Sequence, residues 1–288
     1  MALKINYDSP VALKNFLDER GMAMQKKFGQ NFLINSQARK LLVDSLKIDE
    51  NTTVWEVGPG LGCMTSEIVE RGAKLTAFEI DRGFASVLKE IFDGNQNFSI
   101  VEGDVLKTWK NFYKENGLPD RFFGNLPYNV AAAIVADMIS EGARFPRAVI
   151  TVQKEVAMRM AAKPGTEDYS SFSVLCQWAY DISNITDLSG GCFWPKPNVE
   201  SRSVLMVKKE NFPCCQDPKT FMKVLRAIFT QRRKTIKNNL NSITNGSEET
   251  EAILSKANID FSIRAEKLDI EQILRLSDVY FEFYSQEK

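Results

Sequence analysis

Residues 125–128 read Asn-Leu-Pro-Tyr, directly after Arg121-Phe122-Phe123-Gly124. A turn accounts for Gly124 and Pro127, but not for an amide and a phenol flanking the proline at the end of an apolar run. Two acceptors stand there, the Asn125 side-chain oxygen and the Leu126 main-chain carbonyl. They suit an aromatic amine such as that of adenine, a poor nucleophile because its lone pair is delocalised into the ring. Acceptors that favour a pyramidal nitrogen, in line with an electrophilic methyl, let positioning and electrostatics supply the catalysis. Pro127 restricts Leu126 and helps keep that carbonyl turned outward. Tyr128 offers a flat face on which an extruded base can stack. No strong base is required, since an aminium on adenine is acidic enough to lose its proton to water. In isolation the four residues would read as a plain turn; their neighbours decide.

The second such stretch is Gly58-Pro59-Gly60-Leu61-Gly62, entered directly from Val54-Trp55-Glu56-Val57. Closely spaced glycines after a strand let a ligand approach the backbone, with the N-terminus of the next helix facing it. A dinucleotide fingerprint would need a glycine where Cys63 stands. That disfavours a nicotinamide dehydrogenase and suits a single nucleoside without a pyrophosphate. About twenty residues on, Phe78-Glu79-Ile80-Asp81 provides an acid for both hydroxyls of a ribose. Glu102-Gly103-Asp104 provides another for an adenine amine. Each acid alone would read as an ordinary helix cap. Together with Glu56 they line one crevice with negative charge, repelling phosphate and welcoming a cation that carries a sugar and a base. S-adenosylmethionine is such a ligand.

Elements of one kind must position these residues. TTVWEVG, KLTAFEI, FSIVEGD, RFFGNLP and RAVITVQ are short β-rich runs, most of them separated by helical patterns, which predicts a parallel sheet covered on both faces. Two further β-rich runs, around Phe172–Tyr180 and Ser203–Val207, are expected to close it with an antiparallel edge hairpin. Helices are expected from Ser9-Pro10 to Gly21 and from Ser36 to Leu46. The segment KKENFPCCQDPK reads as a linker, and the pattern beyond it is helical. The expected fold is therefore α/β: a Rossmann-like seven-stranded methyltransferase sheet over residues 1–209, followed by a small all-helical domain over 210–288.

Composition narrows the classes. The 288 residues are 44% hydrophobic, enough for one large core, and 37 Lys+Arg balance 37 Asp+Glu. Nucleic-acid binding must therefore come from a local patch. The chain has no histidine, which removes Ser-His-Asp and Cys-His nucleophile schemes and imidazole metal sites; no metal is expected. Its five cysteines are scattered without a C-x-x-C pair, in keeping with a reducing compartment. Lys4, Asn6 and Asp8 interrupt any N-terminal apolar run, and no stretch approaches the roughly 18 apolar residues of a membrane span. A cytoplasmic monomer is expected.

With these residues in view, the sequence closely resembles the ribosomal RNA adenine dimethyltransferase family, in the small-subunit branch known from kasugamycin resistance. The resemblance spans nearly the whole chain. KKFGQNFL (26–33), EVGPGLG (56–62), FEID (78–81), EGDVL (102–106) and NLPYNV (125–130) carry it in order. They are followed by the run beginning QKEVAMRM at 153, FWPKPNVESRSV (193–204), QRRKTIKNNL (231–240) and RAEKLDIEQ (264–272). The resemblance implies that Asn31, Leu33, Gly58, Glu79, Asp104 and Asn125 contact the methyl donor, with Gly60 in the same glycine loop as Gly58 also counted among the cofactor residues. It implies that Asn125, Leu126 and Tyr128, with Pro127 between them, hold the target amine and base. Phe193 would stack on the adenine from the other side, although Phe193 and Trp194 read equally as core residues under a proline-rich loop. The implied reaction is two successive methyl transfers to each of two adjacent adenosines near the 3′ end of small-subunit (16S) rRNA, during subunit biogenesis. One departure stands out: the family usually continues NLPYN with hydroxyl residues ending in proline, whereas Ala131-Ala132-Ala133 follows Val130 here.

The RNA surface is expected along residues 219–237, which contain Lys219, Lys223, Arg226, Arg232, Arg233, Lys234 and Lys237 and no Asp or Glu. Leu225, Ile228 and Phe229 are available to the core on a helical pattern, leaving a basic face for phosphates. Lys26 and Lys27 are expected to extend it, with Arg159 and Lys163 as weaker candidates. Two rivals remain at this stage. One is the large-subunit dimethylase of macrolide resistance, which shares the cofactor and NLPY-type motifs. The other is an assembly factor that binds RNA on this scaffold without catalysis.

Overall fold

The computed structural model describes residues 4–25, 29–212 and 214–285. Its strands are β1 (Phe32–Leu33), β2 (Thr53–Val57), β3 (Lys74–Glu79), β4 (Phe98–Glu102), β5 (Arg121–Asn125), β6 (Arg147–Gln153), β7 (Tyr180–Leu188), β8 (Phe193–Trp194) and β9 (Ser201–Lys208). The helices up to the fifth strand are α1 (Pro10–Glu19), α2 (Ser36–Leu46), α3 (Cys63–Val69), α4 (Arg82–Ile91) and α5 (Val105–Asn116). Then come α6 (Ala131–Ser140), α7 (Lys154–Met160), α8 (Ser171–Ala179), α9 (Pro218–Ile228), α10 (Ile236–Leu240), α11 (Ser247–Lys256) and α12 (Ile270–Ser285). None of these helices is long and apolar enough to cross a membrane.

The chain packs as two units. The first comprises Met1–Met138, Ala143–Ala157 and Asp181–Lys208 and holds a seven-stranded sheet in the order β4-β3-β2-β5-β6-β9-β7. The pairs β4/β3, β3/β2, β2/β5 and β5/β6 are parallel, and β9 runs antiparallel to β6. Successive residues alternate between two buried faces, as strands covered on both sides must. Val54, Leu75, Phe123 and Val149 pack on one side with Leu42 and Leu46 of α2 and Ile68 of α3. On the other, Trp55 meets Phe78, Phe112 and Phe145 at ring distances of 5.1–5.8 Å.

The sheet order decides where a ligand can sit. The chain leaves β2 toward β3 on one side and returns on the other side of β2 as β5, with Val57 opposite Gly124. At such a switch the connecting loops part and leave a crevice at the carboxyl ends of the strands.

The second unit comprises Ile139–Gly142, Met158–Tyr180 and Lys209–Lys288, and its described elements are helical apart from the first residue of β7. From sequence a single boundary at 209 is expected, with all of 1–209 in one unit; along the chain the last segment of the second unit begins at Lys209. The unit also takes in Met158–Tyr180, which that reading left with the sheet: Trp178 lies 4.8 Å from Phe212 and 4.6 Å from Phe221, ring to ring.

One secondary-structure expectation is corrected. Residues 172–179 form α8 rather than a strand, and the edge strand begins only at Tyr180. The run is buried all round, so its burial carries no period to read. The decision lies in a cap, where Ser173 Oγ accepts from the Ser170 N–H at 3.0 Å.

Candidate active site

Four neighbouring strands, β4, β3, β2 and β5, deliver one candidate residue or loop each to the same edge of the first unit. The cavity they enclose measures about 280 Å³ and is lined by Asn31, Gly58, Gly60, Glu79, Asp104 and Asn125, among others. Glu56 also reaches it, so three carboxylates face the cavity, and no Lys or Arg lines it among the described residues.

Each acid is held by the local fold. Glu56, 1% exposed, accepts from Thr65 Oγ1 of α3 at 2.7 Å. Burial pushes its carboxyl up to about 8, opposed by the Thr65 bond and reinforced by the charge of Glu79. Glu79, 4% exposed, accepts from the Gly60 N–H at 3.0 Å and the Asp81 N–H at 2.8 Å. Burial still outweighs those bonds and raises its carboxyl to about 7. Asp104 caps α5 by accepting from the Leu106 N–H at 3.0 Å.

The second strand offered two acids, and the structure separates their roles. Asp81 caps α4 through the N–H groups of Gly83 and Phe84 and accepts from Gln30 Nε2 at 3.1 Å and Gln25 Nε2 at 3.3 Å. Glu79 therefore faces the cavity while Asp81 anchors the preceding segment. Glu102 lies outside, exposed and paired with Lys89.

The glycine loop is shaped by its own protein neighbours. Gly60 sits at φ +59°, and a Cβ there would lie 2.8 Å from Cε1 of Phe32. Cys63, standing where a dinucleotide loop would carry glycine, is buried, and burial pushes its thiol up to about 12, far from a nucleophile's range.

Asn125 is oriented by its neighbour. Its Nδ2 donates to the Asn31 main-chain oxygen at 2.9 Å. A carbonyl can only accept, so this contact fixes which end of the amide is NH₂ and turns Oδ1 the other way. Pro127 lines the cavity next to it, while the Leu126 side chain is buried. The Tyr128 ring is half-buried outside the cavity lining, and its hydroxyl shares a 2.5 Å hydrogen bond with Ser201 Oγ.

Two of the expected site residues stand elsewhere. Leu33 is a core side chain that does not line the cavity, and its main-chain oxygen accepts from Arg39 Nη1 at 3.1 Å. Phe193, 3% exposed, is drawn into the same core, because β8 pairs with β1 and sets Phe193 opposite Leu33. In this conformation it is the core aromatic that the sequence left as an alternative.

The basic segment is described within the second unit. It is not one helix: α9 ends at Ile228, and Arg232, Arg233 and Lys234 precede the Thr235 cap of α10. Buried Asn239 imposes the break, donating to Ile228 O at 2.8 Å and Gln231 O at 3.1 Å. Arg232 pairs with Glu266 at 3.0 Å and also bonds Glu167 O. Lys237 pairs with Glu251. Lys223 donates to the Tyr280 hydroxyl at 2.7 Å and lies over that ring. Arg226, Arg233 and Lys234 are exposed. Lys26 and Lys27 lie outside the described residues.

Several contributors went unread in the sequence. Tyr7 donates to Leu61 O in the glycine loop at 2.9 Å, and Thr65, Gln30 and Ser201 brace Glu56, Asp81 and Tyr128. Only the placement of Gln30 and Ser201 inside two of the quoted motifs hinted at a role.

The acid-lined cavity beside an oriented Asn-Leu-Pro-Tyr turn can be set against known proteins. The family model for ribosomal RNA adenine dimethylase matches residues 21–282. Ribosomal RNA small subunit methyltransferase A of Treponema denticola is 47% identical over 279 residues, covering 95% of each chain. The protein of the same name from Borreliella burgdorferi is 39% identical, covering 96% of each. Among solved structures, a dimethyladenosine transferase from Plasmodium falciparum superposes with a TM-score of 0.70 at 24% identity, covering 88% of this chain and 97% of that one. With the family's match running almost end to end, the chain belongs to the ribosomal RNA adenine dimethylase family.

Proposed function

We infer that the protein uses S-adenosylmethionine to dimethylate the exocyclic amines of two adjacent adenosines near the 3′ end of 16S rRNA, as a step in small-subunit biogenesis. The observation that carries this reading is the Asn125 amide. Its nitrogen is committed to Asn31 O, so its oxygen is free to accept from the N–H of a target amine.

The donor set fits the cofactor. In this reading Glu79 accepts from ribose hydroxyls and Asp104 from an adenine amine, supported by their lining one cavity whose described charged residues are all acidic, which suits a sulfonium. When bound, S-adenosylmethionine supplies an electrophilic methyl carried on that sulfonium. The chain's own residues do the rest. Asn125 Oδ1 and the Leu126 carbonyl hold the amine with its lone pair turned toward the methyl, and the Tyr128 ring bears the base face to face. The product aminium passes its proton to water. Fixed acceptors need no reorganisation during the reaction, which is where their advantage over water lies.

Arg226, Arg233 and Lys234 are the phosphate contacts of this reading, since they are exposed, whereas Lys223, Arg232 and Lys237 are each tied to a partner within the unit. The names of the relatives favour the small subunit over the large. The test is incubation of the purified protein with S-adenosylmethionine and unmethylated small or large subunits, then mass spectrometry of the digested rRNA. Two adjacent dimethyladenosines near the 3′ end of the small-subunit RNA are expected. Modification of the large-subunit RNA would move the protein to the resistance branch, and binding without methylation would leave an assembly factor.

A further inference from the structure

The proposed reaction uses the face of Tyr128, and the structure shows what holds that face. Ser201 opens β9 and Ser203 follows two residues on, so both point to the same side of the strand. Both are fully buried, and a buried hydroxyl must find a partner. Ser203 Oγ meets Thr151 Oγ1 of β6 at 2.7 Å, directly across the antiparallel register. Ser201 stands opposite Gln153, yet its hydroxyl leaves the strand pair and meets the Tyr128 hydroxyl at 2.5 Å. Its position is fixed from behind: the Lys154 N–H donates to Glu200 O at 3.0 Å, and Lys154 Nζ reaches the Glu200 carboxylate at 2.7 Å.

A tyrosine ring has two side-chain torsions. Backbone turn geometry fixes one end of Tyr128, through the Leu126 N–H to Thr151 O at 3.1 Å and the Val130 and Ala131 N–H groups to Pro127 O. The Ser201 bond fixes the other end, so the long axis of the ring cannot swing away. A stacking ring anchored at both ends of its axis loses less freedom when a base lands on it. We propose that Ser201 is a positioning residue that orients the Tyr128 ring for the target base. Burial raises the Tyr128 hydroxyl above its ordinary range while the Ser201 bond draws it back, as expected of a protonated phenol in a fixed hydrogen bond.

This inference rests on the proposed reaction, and the test separates the two. Ser201→Ala, Tyr128→Phe, their double variant and Ser203→Ala are compared with the parent for kcat and KM on unmethylated small subunits, cofactor Kd and Tm. Ser201→Ala and Tyr128→Phe are each expected to lower kcat/KM about tenfold, with cofactor Kd unchanged. The double variant should be no worse than either single, because both remove one bond. Ser203→Ala loses a buried hydrogen bond of the same kind without touching Tyr128, so it should lower Tm but leave kcat/KM near the parent's. Additive losses, parental activity in the single variants, or an equal loss in Ser203→Ala would overturn the proposal. If Ser201→Ala does not fold, Tyr128→Phe alone decides, since it keeps the ring and removes the same bond. A parent that methylates neither subunit would instead overturn the reaction.

Discussion

The cavity of the first unit and the basic segment of the second treat their charged and polar residues in opposite ways. At the cavity, Glu56, Glu79, Asp104 and Asn125 are each tied to a protein neighbour, yet each keeps an edge toward the open space. Along residues 219–237, three of the seven cations read there as an RNA surface are spent inside the unit, on Glu266, Glu251 and Tyr280. A strand end is a fixed place: the sheet dictates its neighbours, so spacing in sequence becomes proximity in space. A surface cation takes whatever partner the fold sets beside it, and sequence spacing says nothing about that partner.

The largest expected effect tests the oriented amide. Asn125→Ala should lower methyl transfer by about 10²–10³-fold, the usual cost of losing one fixed polar contact to the reacting group. The fold should persist, because Asn125 is only half-buried. Single-turnover rates with labelled cofactor, beside thermal melts, measure both. Parental rates in this variant would remove the account of the NLPY turn.

Next comes pH. Glu79 is raised to about 7, and Glu56 beside it to about 8. Hydroxyl donors prefer the carboxylate, so cofactor affinity, read by calorimetry, should rise about tenfold between pH 6 and 8. Glu79→Gln should flatten that rise, and a parental slope in the variant would shift it to another group. The same groups act on stability with the opposite sign from an ordinary paired carboxylate. Their folded pKa values exceed the unfolded ones, so the folded state holds extra protons between about pH 4.5 and 8. The ligand-free protein should therefore lose stability as pH rises through that window, by an amount on the order of a few kcal/mol. Glu56→Gln, which still accepts from Thr65, should raise Tm at pH 8 and leave it unchanged at pH 4.5.

A smaller effect separates exposed cations from spent ones. Replacing Arg226, Arg233 and Lys234 together by Ala should weaken binding of a 3′ rRNA fragment and reduce the salt slope by about 2–3. Replacing Arg232 and Lys237 should move the slope by less than about 1, because their charges are already paired. A larger change from the second pair than from the triple would invert the assignment.

Smallest is the change expected from Ser9→Ala. Ser9 Oγ accepts from the Ala12 N–H at 3.2 Å at the start of α1, so its loss should cost about 1 kcal/mol. Methyl transfer should be unaltered.

Much of the site was legible because strand-end chemistry is local. The glycines, the acids about twenty residues apart and the NLPY turn each announce themselves, and alternating runs dictate a parallel sheet. Less legible was anything that depended on a partner far along the chain. Which of Glu79 and Asp81 faces the cavity depends on Gln25 and Gln30 reaching Asp81. Whether Phe193 stacks or packs depends on β8 finding β1. That residues 172–179 are helical turns on one serine cap in a run with no readable period.

Sequence alone determined the parallel strands, the glycine loop, the acid set and the amide-proline-tyrosine turn, because residue type and spacing act within one element and its adjoining loop. Only the tertiary structure decided which way the Asn125 amide points, what braces Tyr128, which cations remain exposed and where Met158–Tyr180 belongs. Those outcomes are set by hydrogen bonds and ring contacts between residues dozens of positions apart, and no local pattern encodes a partner at that distance.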